Sequence, residues 1–319
     1  MHFNKMERQV FMKKQFFLSV VTVFLLVASL FPLNGKADGV RYVALGDSLA
    51  AGQTPHKEIG ASYTDLIALS LQQTGQLSSF SKQLAFPGYS TGQVLEQLEK
   101  KEAQALIKTA DLITISAGAN DMLPLIQNDS TRRMLSYQPI PVAFALNGVR
   151  KNYVKIFEKI RKMNRQADIY VMGYYFPFPH VKEEQKPSVA SQLTLLNEII
   201  EQEAKRAGAY FVPVSGRFGT NARSLIPNPA DVHPAPGGYL EMANSFIEVY
   251  APGSRLIPTS ILSQLPAPVP FSKLKKSHPS RSASRETSEN SRKEKPAKKE
   301  NGKTAAKEQG KSCKRGEYT

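Results

Sequence analysis

Val40-Arg41-Tyr42-Val43-Ala44-Leu45-Gly46-Asp47-Ser48-Leu49 is the stretch on which the reading of this 319-residue chain turns. Residues 40–45 form a short, β-rich run dominated by apolar side chains. Such a run fits a strand covered on both faces, as in a parallel sheet. It ends on glycine, which permits a sharp turn, and then on Asp47-Ser48. A serine just beyond a buried strand is held rigidly at the floor of a pocket. Two readings stand at this point. Ser48 is a nucleophile presented by the turn, or Asp47-Ser48 caps a following helix, since both residue types are favoured caps.

Outward from that strand, apolar runs alternate with amphipathic ones. Residues 62–74 carry Leu66, Ile67, Leu69 and Leu71 at helical spacing. A second strand is expected over 79–86, closed by Pro87-Gly88, and a helix over 91–108 from Val94, Leu95, Leu98 and Ile107. The run 112–116 reads as a compact strand stopping at Gly118. A long helix over 141–164, a strand over 169–175, a helix over 188–207, a strand over 210–214 and a helix over 239–250 complete the series. Strands separated by helices of this length predict a parallel sheet with helices on both faces. In such sheets sites gather in the loops beyond the carboxyl ends of the strands. Residues 251–271 are punctuated by five prolines and read as a linker or an extended wrap over the domain.

A net charge of +15 resembles a nucleic-acid signal until it is located. Residues 272–319 hold 15 Lys and Arg against 6 acids, a net of +9, and residues 1–37 hold 5 against 1, a net of +4. Only +2 is left for residues 38–271, so specific nucleic-acid recognition by the folded body is not expected. Residues 272–319 are Lys/Ser/Glu-rich and read as a basic disordered tail, able to attract an anionic wall polymer or membrane surface. Residues 1–37 read as a signal peptide, with a start at Met12 as an alternative. Lys13-Lys14 precede an apolar run over 16–33, and Gly35 and Ala37 suit cleavage after Ala37. An uncleaved anchor is the other reading of that run. Export predicts a secreted protein, held at the wall if the tail binds there. The single cysteine, Cys313, excludes an intramolecular disulfide.

Three more blocks stand at strand ends. Gly118-Ala119-Asn120-Asp121 offers a carboxamide and glycine backbone to a developing oxyanion, or makes a capped turn. Phe86-Pro87-Gly88-Tyr89 offers a glycine N–H, or makes a turn. Asp231-Val232-His233-Pro234, followed by Gly237-Gly238-Tyr239, places a histidine beside an acid, the composition of an oriented general base. Of the other histidines, His2 and His278 fall in the ends, and His56 and His180 in polar loops.

Taken in order, Gly-Asp-Ser-Leu, a glycine turn, Gly-x-Asn-Asp and Asp…His-Pro…Gly-Tyr resemble the SGNH (GDSL) hydrolase family over residues of about 40–250. The resemblance implies a three-layer α/β/α sandwich with a flavodoxin-like parallel sheet, and hydrolysis of esters or thioesters without metal or cofactor. It implies Ser48 as nucleophile and His233 as base. The N–H groups of Ser48 and Gly88, with the Asn120 side chain, would form the oxyanion hole. Two departures are visible. The family's usual acid position, three residues before the histidine, holds Ala230, so the acid is Asp231 or a backbone carbonyl takes its place. The glycine block carries Ala85-Phe86-Pro87 where an asparagine is often found.

The expected substrate is a short-to-medium acyl ester or a lysophospholipid, taken by a monomer. Deacetylation of a wall or plant polysaccharide is the alternative, and a non-catalytic surface-binding protein on the same scaffold is the rival of another class. Tyr63, Tyr89, Met122, Leu123, Leu125, Tyr174, Phe176 and Phe178 lie near strand ends, either lining an acyl pocket or packing the core.

Overall fold

Residue burial explains why the strand sequences look as they do. In the computed structural model, which describes residues 39–274, five parallel strands form one sheet. They are β1 (Val40–Gly46), β2 (Leu77–Ala85), β3 (Leu112–Ser116), β4 (Asp168–Met172) and β5 (Tyr210–Val212), in spatial order β2-β1-β3-β4-β5. All of β3 and the last five residues of β1 are buried. Their side chains are mostly apolar because helices cover both faces. The edge strand β2 is Ser/Lys/Gln-rich and mostly half-exposed.

Seven helices matter for the site: α1 (Ser48–Ala51), α2 (Tyr63–Gln73), α3 (Thr91–Gln97), α4 (Lys101–Thr109), α5 (Pro139–Met163), α6 (Lys186–Arg206) and α7 (Pro236–Tyr250). Helix α2 packs with α7, and α5 packs with α3, α4 and α6. With the sheet between them these make three layers, α/β/α. The chain runs from β1 to its neighbour β2 and then crosses back to β3 on the other side of β1. That reversal opens a crevice beyond the carboxyl ends of β1 and β3, the usual ligand position in a doubly wound sheet. Ser48 and Asn120 follow directly from those two ends.

Three expectations from the sequence are corrected, and one element is added. The helix over 91–108 is two, broken at Leu98–Lys100, where Lys100 is extended. Val94, Leu98, Ala103 and Ile107 are all buried, yet the five-residue step from Leu98 to Ala103 turns a continuous helix by about 140° off the core face. The break resets that phase. Strand β4 ends at Met172 rather than 175, freeing residues 173–178 to leave the sheet toward the crevice. Strand β5 likewise stops at Val212, its carbonyl accepting the Gly173 N–H at 2.9 Å. A hairpin, Ile126–Asp129 against Met134–Tyr137, has no alternating pattern to announce it and was not expected.

Residues 251–271 lie on the body. Asn244 holds both backbone groups of Ile257, donating at 3.2 Å and accepting at 2.8 Å, and Ile257 and Ile261 are buried. Val269–Pro270 pairs antiparallel with Glu58–Ile59. The signal segment expected over 1–37 and nearly all of the basic tail lie outside the described residues.

Candidate active site

The turn that presents Ser48 depends on Gly46. Its φ is +138°, and a Cβ there would stand 2.1 Å from the Ser116 carbonyl oxygen at the end of β3. No side chain fits so close to a neighbouring strand, so only glycine lets β1 turn into Asp47-Ser48. The Asp47 N–H then donates to the same Ser116 carbonyl at 2.9 Å. Ser48 opens α1, so its own N–H has no acceptor within the helix.

Asp47 is fully enclosed and bonded on every side. Its carboxylate accepts from the Leu49 N–H at 3.0 Å, the Ser116 hydroxyl at 2.8 Å and the Tyr174 hydroxyl at 2.6 Å. Burial raises its carboxyl above the ordinary range, while these three donors pull the other way. Burial, and then the Asp47 charge, push the Tyr174 hydroxyl well above the usual phenol range, which keeps it a donor. Asp47 therefore caps α1, as the bland reading of the motif foresaw, and the same cap fixes the Ser48 backbone.

His233 meets that serine across 185 positions. Its Nε2 lies 2.8 Å from Ser48 Oγ, and its Nδ1 lies 2.6 Å from Asp231 Oδ1. The shortened Asp-x-His spacing works because Asp231 Oδ1 also accepts the His233 backbone N–H at 2.8 Å. This is an Asx turn, which folds the carboxylate back over the residue two places on. Burial disfavours the Asp231 charge, but the bonds and charge of His233 outweigh it and hold the carboxyl below its ordinary range. An ionised Asp231 accepts from Nδ1–H, which leaves Nε2 free to accept from the serine hydroxyl. Behind the ring, the Tyr175 hydroxyl donates to the Val232 carbonyl at 2.8 Å, and Gln53 Nε2 stands 3.3 Å from His233 Nδ1.

Asn120 lines the same crevice, and its Nδ2 donates to the Tyr89 carbonyl at 2.9 Å, leaving a second N–H. Asp121 accepts from both the N–H and the hydroxyl of Thr91, at 2.9 and 2.7 Å. The two loops are thereby latched together. Gly88 stands in the exposed turn at φ +82°, next to the gripped Tyr89 but not among the crevice-lining residues. Beyond Ser48 and His233 the crevice opens into an apolar cleft. Met122, Leu123, Tyr174 and Phe178 of the residues foreseen do line it, while Tyr63, Tyr89, Leu125 and Phe176 do not. Ile126 from the hairpin and Val189, Leu193 and Leu196 from α6 also line it.

Residues 44–240 match the GDSL-like lipase/acylhydrolase family. The chain belongs to that family. It is an ester-hydrolysing enzyme with the SGNH arrangement of helices and sheet. It is 28% identical over 199 residues to the uncharacterized protein YpmR of Bacillus subtilis, covering 61% of this chain and 75% of the relative. It is 26% identical over 160 residues to the spore germination lipase LipC of Bacillus licheniformis, covering 46% and 69%. In fold it is similar to a lipase from a goat rumen metagenome, with a TM-score of 0.53 and 22% identity over 66% of this chain and 96% of that one.

The sequence did not reveal that Tyr174 serves Asp47, that Tyr175 steadies the Asp231–His233 turn, or that Gln53 approaches the imidazole. Each is a loop residue whose partner is at least 57 positions away. The only signal for Asp47 was its place directly before the serine.

Proposed function

We propose that this GDSL hydrolase cleaves carboxylic esters of short-to-medium acyl chains, lysophospholipids among them, through an acyl-enzyme on Ser48. The observation that carries the reading is the continuous relay Asp231–His233–Ser48 at the head of an apolar cleft. His233 Nε2 takes the hydroxyl proton as Ser48 Oγ attacks the ester carbonyl. The oxyanion is received by the Ser48 N–H and the second Asn120 Nδ2–H. His233 returns its proton to the leaving alcohol. Water, activated by the same ring, then attacks the acyl-serine and releases the acid.

The cleft wall supports the choice of acyl chain. Apart from Asp47, Ser48, Asn120 and His233 at its head, it is lined by apolar or aromatic residues. Each methylene buried there adds roughly 0.8 kcal/mol, about fourfold in kcat/KM. Across p-nitrophenyl esters, kcat/KM is therefore expected to climb about fourfold per carbon from acetate until the cleft is filled. A maximum at acetate, with faster turnover of acetylated glycans, would overturn this in favour of O-deacetylation. Asn120→Ala is expected to lower kcat by about a hundred- to thousandfold while leaving KM nearly unchanged, because the lost donor acts on the oxyanion. A loss confined to KM would move Asn120 from the transition state to ground-state binding.

A further inference from the structure

Helix α5 begins with a face that the fold leaves uncovered. Ile140 and Phe144, one turn apart, are 72% and 74% exposed, the highest values among the exposed large apolar side chains. Their helix neighbours Val142 and Leu146 are buried, so the helix is docked and only this tip faces outward. Single exposed apolar residues need no explanation. Two such residues stacked at i and i+4, with Pro139 and Ala143 also exposed, form a patch.

Two further observations say what covers it. The patch follows directly on the hairpin that borders the cleft: Tyr137, three residues before Ile140, pairs with the lining residue Ile126, and its hydroxyl donates to the Ser188 carbonyl beside the lining residue Val189. The flanks are also predominantly basic, with Arg132 paired to Asp129, Arg150 to Glu203, and the exposed Glu158 three residues beyond Lys155. Residues 130–157 contain Arg132, Arg133, Arg150, Lys151 and Lys155 and no Asp or Glu. Lys151 and Lys155 are exposed, and neither is paired with a carboxylate among the described residues. Along α5, Lys151 stands about 10 Å beyond Phe144 at ~1.5 Å per residue. Apolar side chains at an interface are buried about 5–10 Å into the headgroup boundary, and nearby cations are attracted by anionic headgroups.

We infer that the amino-terminal tip of α5, Ile140 and Phe144, inserts into an anionic lipid surface, with Lys151 and Lys155 meeting the headgroup phosphates. Among the described residues no helix is long and apolar enough to cross a membrane. The contact brings the cleft mouth to the layer where acyl esters of lipids reside. The inference concerns binding alone and does not require the proposed acyl specificity.

The chain has no tryptophan, so Phe144→Trp in the full-length protein introduces a single reporter at the tip. With vesicles of phosphatidylcholine and phosphatidylglycerol in equal parts, its emission is expected to shift to shorter wavelength and to be quenched by lipids brominated in the acyl chains. Adding Lys151→Gln and Lys155→Gln is expected to lower the partition coefficient by about thirtyfold, since each juxtamembrane cation contributes about as much as a fivefold change. Ile140→Ser with Phe144→Ser should leave hydrolysis of a soluble p-nitrophenyl ester unchanged. Unshifted emission on vesicles that nevertheless sediment the protein would overturn the inference and place the contact elsewhere, the basic tail first. Emission that shifts with protein concentration and no vesicles would assign the patch to a second copy of the chain. Emission already shifted in dilute protein would assign it to another segment of the same chain.

Discussion

Ser48→Ala is expected to lower kcat by about a millionfold and to abolish covalent labelling by a fluorophosphonate. A loss of that size is typical when a serine–histidine relay is deprived of its nucleophile, the residue left behind contributing only binding and oxyanion stabilisation. The protein should remain folded. The Ser48 hydroxyl makes one hydrogen bond, to His233 Nε2, and breaking one such bond costs roughly 0.5–1.5 kcal/mol. The Asp47 cap on α1 uses the backbone at Leu49, not the serine hydroxyl, and is untouched. Unaltered circular dichroism with lost labelling is the outcome that assigns the nucleophile. Labelling that persists in the variant would remove Ser48 from the chemistry, whatever the ester panel shows.

Asp231→Asn is expected to cost about 10⁴-fold in kcat with the Ser48 hydroxyl still in place. The asparagine oxygen can keep the His233 backbone N–H, so the Asx turn survives. That oxygen is the same atom that accepts from Nδ1, so what is lost is the negative charge that stabilises the imidazolium; only an amide turned to Nδ1 at the cost of the turn bond would favour the proton on Nε2, the tautomer that cannot accept from serine. A loss below tenfold would mean that another group orients the ring, with Gln53 the nearest candidate at 3.3 Å from Nδ1. The same variant carries a stability signature. The folded Asp231 carboxyl ionises below its ordinary range, so its contribution is fully present above about pH 4, the unfolded value, and is lost as pH falls through the folded one. Wild type is therefore expected to exceed Asp231→Asn in denaturant midpoint at neutral pH, with the gap narrowing in acid. A gap that widens below pH 4 would contradict the direction assigned to Asp231.

The alternation of strands and helices was legible because burial on both faces leaves β1 and β3 almost no polar positions, and because a parallel sheet needs a helix between strands. The same logic failed where the demand on the chain was local. The break at Leu98–Lys100 answers a phase error that a count of apolar residues conceals. The early end of β4 falls just before Gly173, which packs so closely on Phe211 that a Cβ would stand 2.7 Å from its ring.

For the site, the sequence alone determined the residue types and their order: a serine after a glycine turn, an asparagine after the next buried strand, and a histidine beside an acid. Those follow from chemistry that admits few substitutes. Which acid reaches the imidazole, and which aromatic residues face the cleft, were decided only by the tertiary structure. Tyr174 gives its hydroxyl to Asp47 and its ring to the cleft, and Phe176 turns into a separate cluster with Leu135 and Val181. The physical reason is reach. A hydrogen bond is settled within a few tenths of an ångström, and between groups up to 185 residues apart that distance is fixed by the packing of the whole domain.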